Sequence, residues 1–237
     1  MSRPDALRGL GDIIVSSRPY DEYLAMFDLS DDDVLAGAVL DCPAGAGGFA
    51  SGVRARGGEV VSVDPAFALP PAELVAASRA GLEHALAYLA RNIESYEWEF
   101  FDSLEDVRRR RLAALDVFVE DFHGPDDAHV VASLPCLPFP DRRFRLVLSA
   151  YLLFSYPDHF DEAAHLAGLR ELARVADEEV RIYPLVDTAF QRYPAIDNLR
   201  ARLLVEGGVD SEIRPVAFRL KRGASEVLVL TPPQAER

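Results

Sequence analysis

The residues with the clearest chemical purpose are Gly45, Gly47 and Gly48, with the acids Asp41 ahead of them and Asp64 behind. A glycine loop lets a ligand approach the backbone because no Cβ intrudes. Asp64 stands 19 residues after Gly45. At that distance an acid closing a second strand can accept hydrogen bonds from both ribose hydroxyls of a nucleotide on the loop. The plainer reading of the same residues is a tight turn, with Asp64 capping the segment that follows it.

Such chemistry needs a strand on each side of the loop. Ala38 to Cys42 reads as a first strand, Phe49 to Arg56 as a helix stopped by Gly57-Gly58, and Glu59 to Val63 as a second strand ending on Asp64. This strand–loop–helix–strand–acid context favours the ligand reading over the bare turn. Upstream, Tyr20, Tyr23, Leu24 and Phe27 share a helical face, and Ser30 before Asp31, Asp32 and Asp33 reads as an N-cap.

Beyond Asp64 the chain keeps alternating strand-like and helix-like stretches, the pattern of a parallel sheet covered by helices. Residues 69–127 form an insert, with helical spacing through Leu74, Leu82 and Leu89 and again through Val107, Arg111 and Leu115. An aromatic joint, Tyr96 to Phe101, separates the two helices, and the arginine run Arg108 to Arg111 reads as a solvated face. Further strands are read at His129 to Ser133, Phe144 to Ser149 and Glu179 to Tyr183, with helices at about Asp158 to Ala176 and Ala195 to Glu206. Two last strands, Glu212 to Leu220 and Glu226 to Leu230, would form an antiparallel hairpin turning at Lys221 to Ala224.

Two cofactor classes compete for the loop. Gly45 to Ala50 fits G-x-G-x-x-A, which admits a dinucleotide such as NAD(P). S-adenosylmethionine presents the same adenosine without a pyrophosphate. Asp41 beside the loop would face its cationic amino group and repel a pyrophosphate, and Pro43 stiffens the turn. The Leu137 to Asp141 turn and the terminal hairpin favour the same choice.

On Val39 to Gly47, Val63-Asp64, Leu137 to Ser149 and the terminal hairpin, the sequence resembles the class I S-adenosylmethionine-dependent methyltransferases, in particular small uncharacterised bacterial members. The resemblance runs from about Arg18 to Leu230. It implies an α/β, three-layer, Rossmann-like domain spanning 1–237, with a seven-stranded sheet in the order 3-2-1-4-5-7-6 and strand 7 antiparallel. It also implies that Asp41, Pro43, Ala44, Gly45 and Gly47 hold the methionine part, that Asp64 binds the ribose, and that Ser133 and Leu134 border the adenine. The sequence departs from the family at three places: Pro43 stands where a glycine is usual, Ser133 where an acid often reads the adenine, and Arg145 where the fourth strand usually has an acid.

The expected activity is methyl transfer to a small-molecule acceptor. The alternatives are an NAD(P)-dependent oxidoreductase and a non-catalytic cofactor-binding protein. Methyl transfer from a sulfonium needs alignment more than a fixed catalytic residue. Ser149, Tyr151 and Tyr156 after the fourth strand, Tyr183 after the fifth, and Trp98 of the insert are the candidates to surround the reacting atoms and the acceptor. His159 is the weak candidate for a base. Arg18 and Tyr20 would bind the methionine carboxylate if the lead-in segment closes over the cofactor.

Composition sets the outer limits. In 237 residues, Lys and Arg total 25 against 39 Asp and Glu, a net charge of −14 that argues against nucleic-acid and membrane-surface partners. Two cysteines make no disulfide framework, and the one E-x-x-H, Glu162 to His165, lacks the second motif a di-metal site needs, so no metal is expected. Met1 to Leu10 shows no apolar leader core and no run is long enough for a membrane span, so a cytoplasmic protein is expected.

Overall fold

A computed structural model describes residues 13–233; the leader reading of Met1 to Leu10 falls outside them. Seven strands form one sheet: β1 (Val39–Asp41), β2 (Val60–Val63), β3 (His129–Val130), β4 (Phe144–Ala150), β5 (Ala176–Tyr183), β6 (Asp210–Pro215) and β7 (Glu226–Thr231). Their order is β3-β2-β1-β4-β5-β7-β6, as the resemblance implied. β7 pairs antiparallel with both β5 and β6, while the other pairs are parallel. The parallel strands therefore deliver their C-terminal ends to one rim, where ligands bind in open α/β sheets.

The strands are apolar on both faces because helices cover both. Val39, Leu146, Leu148 and Val229 pack under α1 (Tyr20–Phe27) and α3 (Phe49–Ala55). Leu40, Val147, Val180 and Leu228 pack under α6 (Glu162–Val175) and α7 (Ile196–Gly207). Between α1 and β1 lies the short α2 (Asp31–Leu35), opened by a Ser30–Asp33 capping box. Ser30 and Asp33 each satisfy the other's backbone amide there, as the sequence suggested.

The insert holds α4 (Pro71–Arg91) and α5 (Leu104–Asp121), with Phe67, Leu74, Leu115, Phe118 and Phe122 as its own apolar cluster. The arginine run does not form one solvated face. Arg108 and Arg109 pair with Glu83 and Asp106, but Arg110 reaches Asp21 of α1 and Arg111 is buried against Glu22 of α1. Successive helical residues turn by about 100°, so four in a row must point in different directions.

The sixth strand ends at Pro215, not Leu220, and Val216 to Ser225 form a long connection rather than a four-residue turn. Val216, Phe218 and Leu220 alternate like a strand because each is buried in the core, Phe218 with its ring against Phe100 and Tyr183. Their backbone turns instead to the insert: the Glu97 amide donates to the Leu220 carbonyl, and the Arg222 amide to Ser95. The third strand is shorter than expected, and Ser133 leaves it to form a single bridge with Cys136. Both cysteines are free thiols, and no helix among the described residues is long and apolar enough to cross a membrane.

Candidate active site

The loop after β1 and the acid after β2 meet. Gly45 donates its amide to Asp64 Oδ2 at 2.8 Å, and Ala66 donates to Oδ1 at 2.8 Å. Asp64 thus ties the glycine loop to the 3-10 turn Pro65–Ala68 that it caps. Burial raises the Asp64 pKa, while the Ala66 and Gly45 amides pull it back.

A strap of N-terminal chain lies across this loop. Ala46 donates to the Ser16 carbonyl and Gly48 to the Arg18 carbonyl, both at 2.9 Å. The glycines are needed for that approach. Gly45 has φ +61°, and a Cβ on it would stand 2.4 Å from the Ser16 oxygen; on Gly47 it would stand 3.0 Å from the Arg18 oxygen. Strap and loop together enclose a cavity of about 210 Å³ at the strand rim.

Of the residues singled out in the sequence, Pro43, Gly45, Asp64, Ser133, Leu134 and Tyr151 line this cavity. Ile13, Ile14, Val15 and Ser16 of the strap and Phe160 also line it and carry no periodicity or motif that marks them. Asp64 is the one charged side chain among the described lining residues, and none of them is basic.

The other candidates sit elsewhere. Ala44 is buried in the insert cluster. Asp41 is buried and accepts from the Tyr23 hydroxyl at 3.2 Å. Burial pushes its pKa well up, the Tyr23 hydrogen bond and Arg18 oppose this, and the Asp64 charge adds to it. Ser149 is buried in β4 with no partner for its hydroxyl among the described residues. Tyr20 turns away: it lies over Gly52, stacks on Phe49 and donates to Asp31. Burial and then that hydrogen bond raise its pKa to about 12. Trp98 packs against the core beside Tyr96, and Tyr183 is buried, donating to the Ala224 carbonyl at 2.7 Å. Burial raises the Tyr156 pKa, while the Ile14 backbone of the strap and the Arg18 charge pull it back. His159 is exposed, its ring edge against Tyr156.

Beside the cavity a buried ion cluster was missed in the sequence. Arg18 Nε lies 3.3 Å from Glu22 Oε1, and Arg111 Nη2 donates to the same oxygen at 2.6 Å. All three residues are buried, and Glu22 Oε2 has no partner among the described residues. The Arg18 guanidinium also stands 3.8 Å over the ring of Tyr151, whose φ is +51°. Burial lowers the Arg18 pKa, but Glu22 and then the tyrosines outweigh it and the net shift is upward. The four-residue spacing of Arg18 and Glu22 was a visible signal for half of this cluster.

The sheet order and the antiparallel β7 define a Rossmann-like fold of the topology that the sequence resemblance implied. No protein-family model matches the chain. It is similar to an uncharacterized protein of Methanocaldococcus jannaschii, with 23% identity over 222 residues, 93% of this chain and 97% of that one. Among solved structures, one described by the conversion of a disulfide bond into a thioacetal group during echinomycin biosynthesis is 15% identical; the match covers 92% of this chain and 86% of that one, with a TM-score of 0.50. The magnesium protoporphyrin IX methyltransferase of Synechocystis, solved with bound SAM, is 14% identical over 98% of this chain and all of that one, with a TM-score of 0.45.

Proposed function

We propose that the chain binds S-adenosylmethionine and transfers its methyl group to a small-molecule acceptor. The observation that carries this reading is the charge and hydrogen bonding around the cavity. A pyrophosphate needs free loop amides or a cation. Here the Gly45, Ala46 and Gly48 amides are taken by Asp64, Ser16 and Arg18, and no described lining residue is basic. A neutral adenosine needs neither, and Arg18 beside the cavity can meet the single carboxylate of the methionine part more readily than the two charges of a pyrophosphate, which favours this reading over an NAD(P)-dependent oxidoreductase.

The cavity of about 210 Å³ falls below the roughly 300–1,000 Å³ of drug-sized sites. That volume suits the nucleoside part, bordered by Asp64, Ser133 and Leu134. Asp41, whose pKa burial raises, would face the cationic amino group, and Arg18 would exchange Glu22 for the carboxylate. When bound, the cofactor supplies an activated methyl group on a sulfonium. The chain orients it, excludes water with the strap, and receives the acceptor near Tyr151, Tyr156, Tyr183 and Trp98.

Calorimetric titration tests this. S-adenosylhomocysteine should bind with one-to-one stoichiometry, and NAD and NADP should give no heat. Binding of a dinucleotide without S-adenosylhomocysteine would reverse the assignment.

A further inference from the structure

Lys221 is the single lysine of a chain in which Lys and Arg total 25. Every other cationic side chain of that set is an arginine, which stays charged at any pH a protein survives. The one side-chain amine able to give up its proton is buried, with 7% of its surface exposed.

Its place in the fold is specific. β6 is antiparallel to β7 and β7 to β5, so β6 runs the same way as β5. The connection Val216 to Ser225 therefore opens on the rim that holds the ends of β4 and β5. There, Lys221 Nζ donates to the carbonyl of Asp187, in the segment after β5, and stands 5.1 Å over the Phe190 ring. From the other side Tyr96 of the insert bridges to Lys221 through the backbone. The charged and titratable groups around it are Asp187, Arg18 of the strap, and Tyr96. Burial pulls the Lys221 pKa down to about 8; the Asp187 charge opposes this and the Arg18 charge adds to it. Arg18 in turn stands over Tyr151, which lines the cavity.

Resting on the methyltransferase reading above, we propose that Lys221 is the proton acceptor of this site and that the methyl acceptor gives up a proton on methylation, as a phenol, thiol or neutral amine does, and is received between Lys221, Tyr96 and Tyr151. As the acceptor's oxygen, sulfur or nitrogen bonds the methyl carbon, the carbon–sulfur bond breaks and its electron pair stays on sulfur. The acceptor's proton passes to the lone pair of Lys221 Nζ, and the ammonium so formed returns it to water. A neutral amine keeps N–H groups for the Asp187 carbonyl while its lone pair takes the proton, so the observed contact survives both states. His159, exposed and outside the cavity, is replaced in this role.

Having one lysine makes the test direct. The full chain labelled with carbon-13 at the lysine ε position gives one side-chain signal, followed through a pH titration with and without S-adenosylhomocysteine. A midpoint near 8 supports the proposal, and one near the ordinary value of about 10.4 overturns it. Turnover is then measured as S-adenosylhomocysteine formation from S-adenosylmethionine, with catechol, aniline, 2-mercaptoethanol and benzoate as probes. Wild type should methylate at least one of the first three, with a rate that rises through about pH 8. Lys221→Arg and Lys221→Met should lose about 100-fold or more in kcat, the scale of general-base catalysis, while keeping their affinity for S-adenosylhomocysteine. Turnover of benzoate alone, of no probe, or an unchanged pH profile in Lys221→Arg overturns the proposal. Failure of S-adenosylhomocysteine to bind wild type overturns instead the methyltransferase reading, and the titration of Lys221 stands apart from it.

Discussion

Replacing Gly45 by alanine tests whether the glycine loop is shaped by the strap. Gly45 has φ +61°, and the new methyl would stand 2.4 Å from the Ser16 oxygen and 3.3 Å from its nitrogen. Left-handed backbone costs a non-glycine residue roughly 1–2 kcal/mol. Pushing Ser16 away also breaks its hydrogen bond from Ala46 and loosens that from Gly48 to Arg18, both 2.9 Å long. At about 1 kcal/mol each, the total loss is about 3–4 kcal/mol. For a chain of this size that lowers Tm by roughly 6–15 °C. Gly57 is the control, with φ +83° and nothing within 4 Å of its missing Cβ. Gly57→Ala should cost only the backbone part, about 1–2 kcal/mol. Urea unfolding measures both variants, and hydrogen exchange follows the Ala46 and Gly48 amides. Equal losses at the two glycines, or unchanged protection of Ala46 in Gly45→Ala, would refute the reasoning.

Three further outcomes follow from the site. Glu22→Ala leaves two buried guanidiniums without their shared carboxylate and should cost about 3–5 kcal/mol in urea unfolding; a loss below about 1 kcal/mol would contradict the buried cluster. Burial, then the Arg54 charge, holds the His129 pKa below 6.5, so the unfolded chain takes up that proton first. Stability should therefore be full above pH about 6.5 and fall as pH drops toward the folded value, and His129→Gln should flatten that slope below about pH 6.5. Asp64→Asn keeps one acceptor but turns an amino group toward an amide, and should destabilise the ligand-free protein by about 1–3 kcal/mol; unchanged stability would deny Asp64 its structural part.

Much of the rim was legible in the sequence because its parts are local. The glycines and Asp64 announce a loop and an acid at a set separation, and the two meet through the Gly45 amide. Asp64 caps the next turn, as the plainer reading had it, and it also lines the cavity. A lead-in segment lying over the site was offered by the sequence through Arg18 and Tyr20, but the strap's hold on the loop was not legible, because it lies in carbonyls accepting from a distant loop and not in side-chain pattern. The sixth strand was misread for a related reason. Alternation reports burial on two sides, and Val216, Phe218 and Leu220 are buried by a loop folded against the insert, outside the ladder. Arg111 shows the limit of reading charge as exposure, since Glu22 accompanies it into the interior.

The central claim is that the cavity beneath the strap is an S-adenosylmethionine site. A crystal structure of the full chain grown with S-adenosylhomocysteine tests it most directly. The account predicts adenosine in the cavity, with ribose hydroxyls on Asp64 and the adenine beside Ser133 and Leu134. Adenosine bound elsewhere, or a cavity left empty at a saturating concentration, would contradict it.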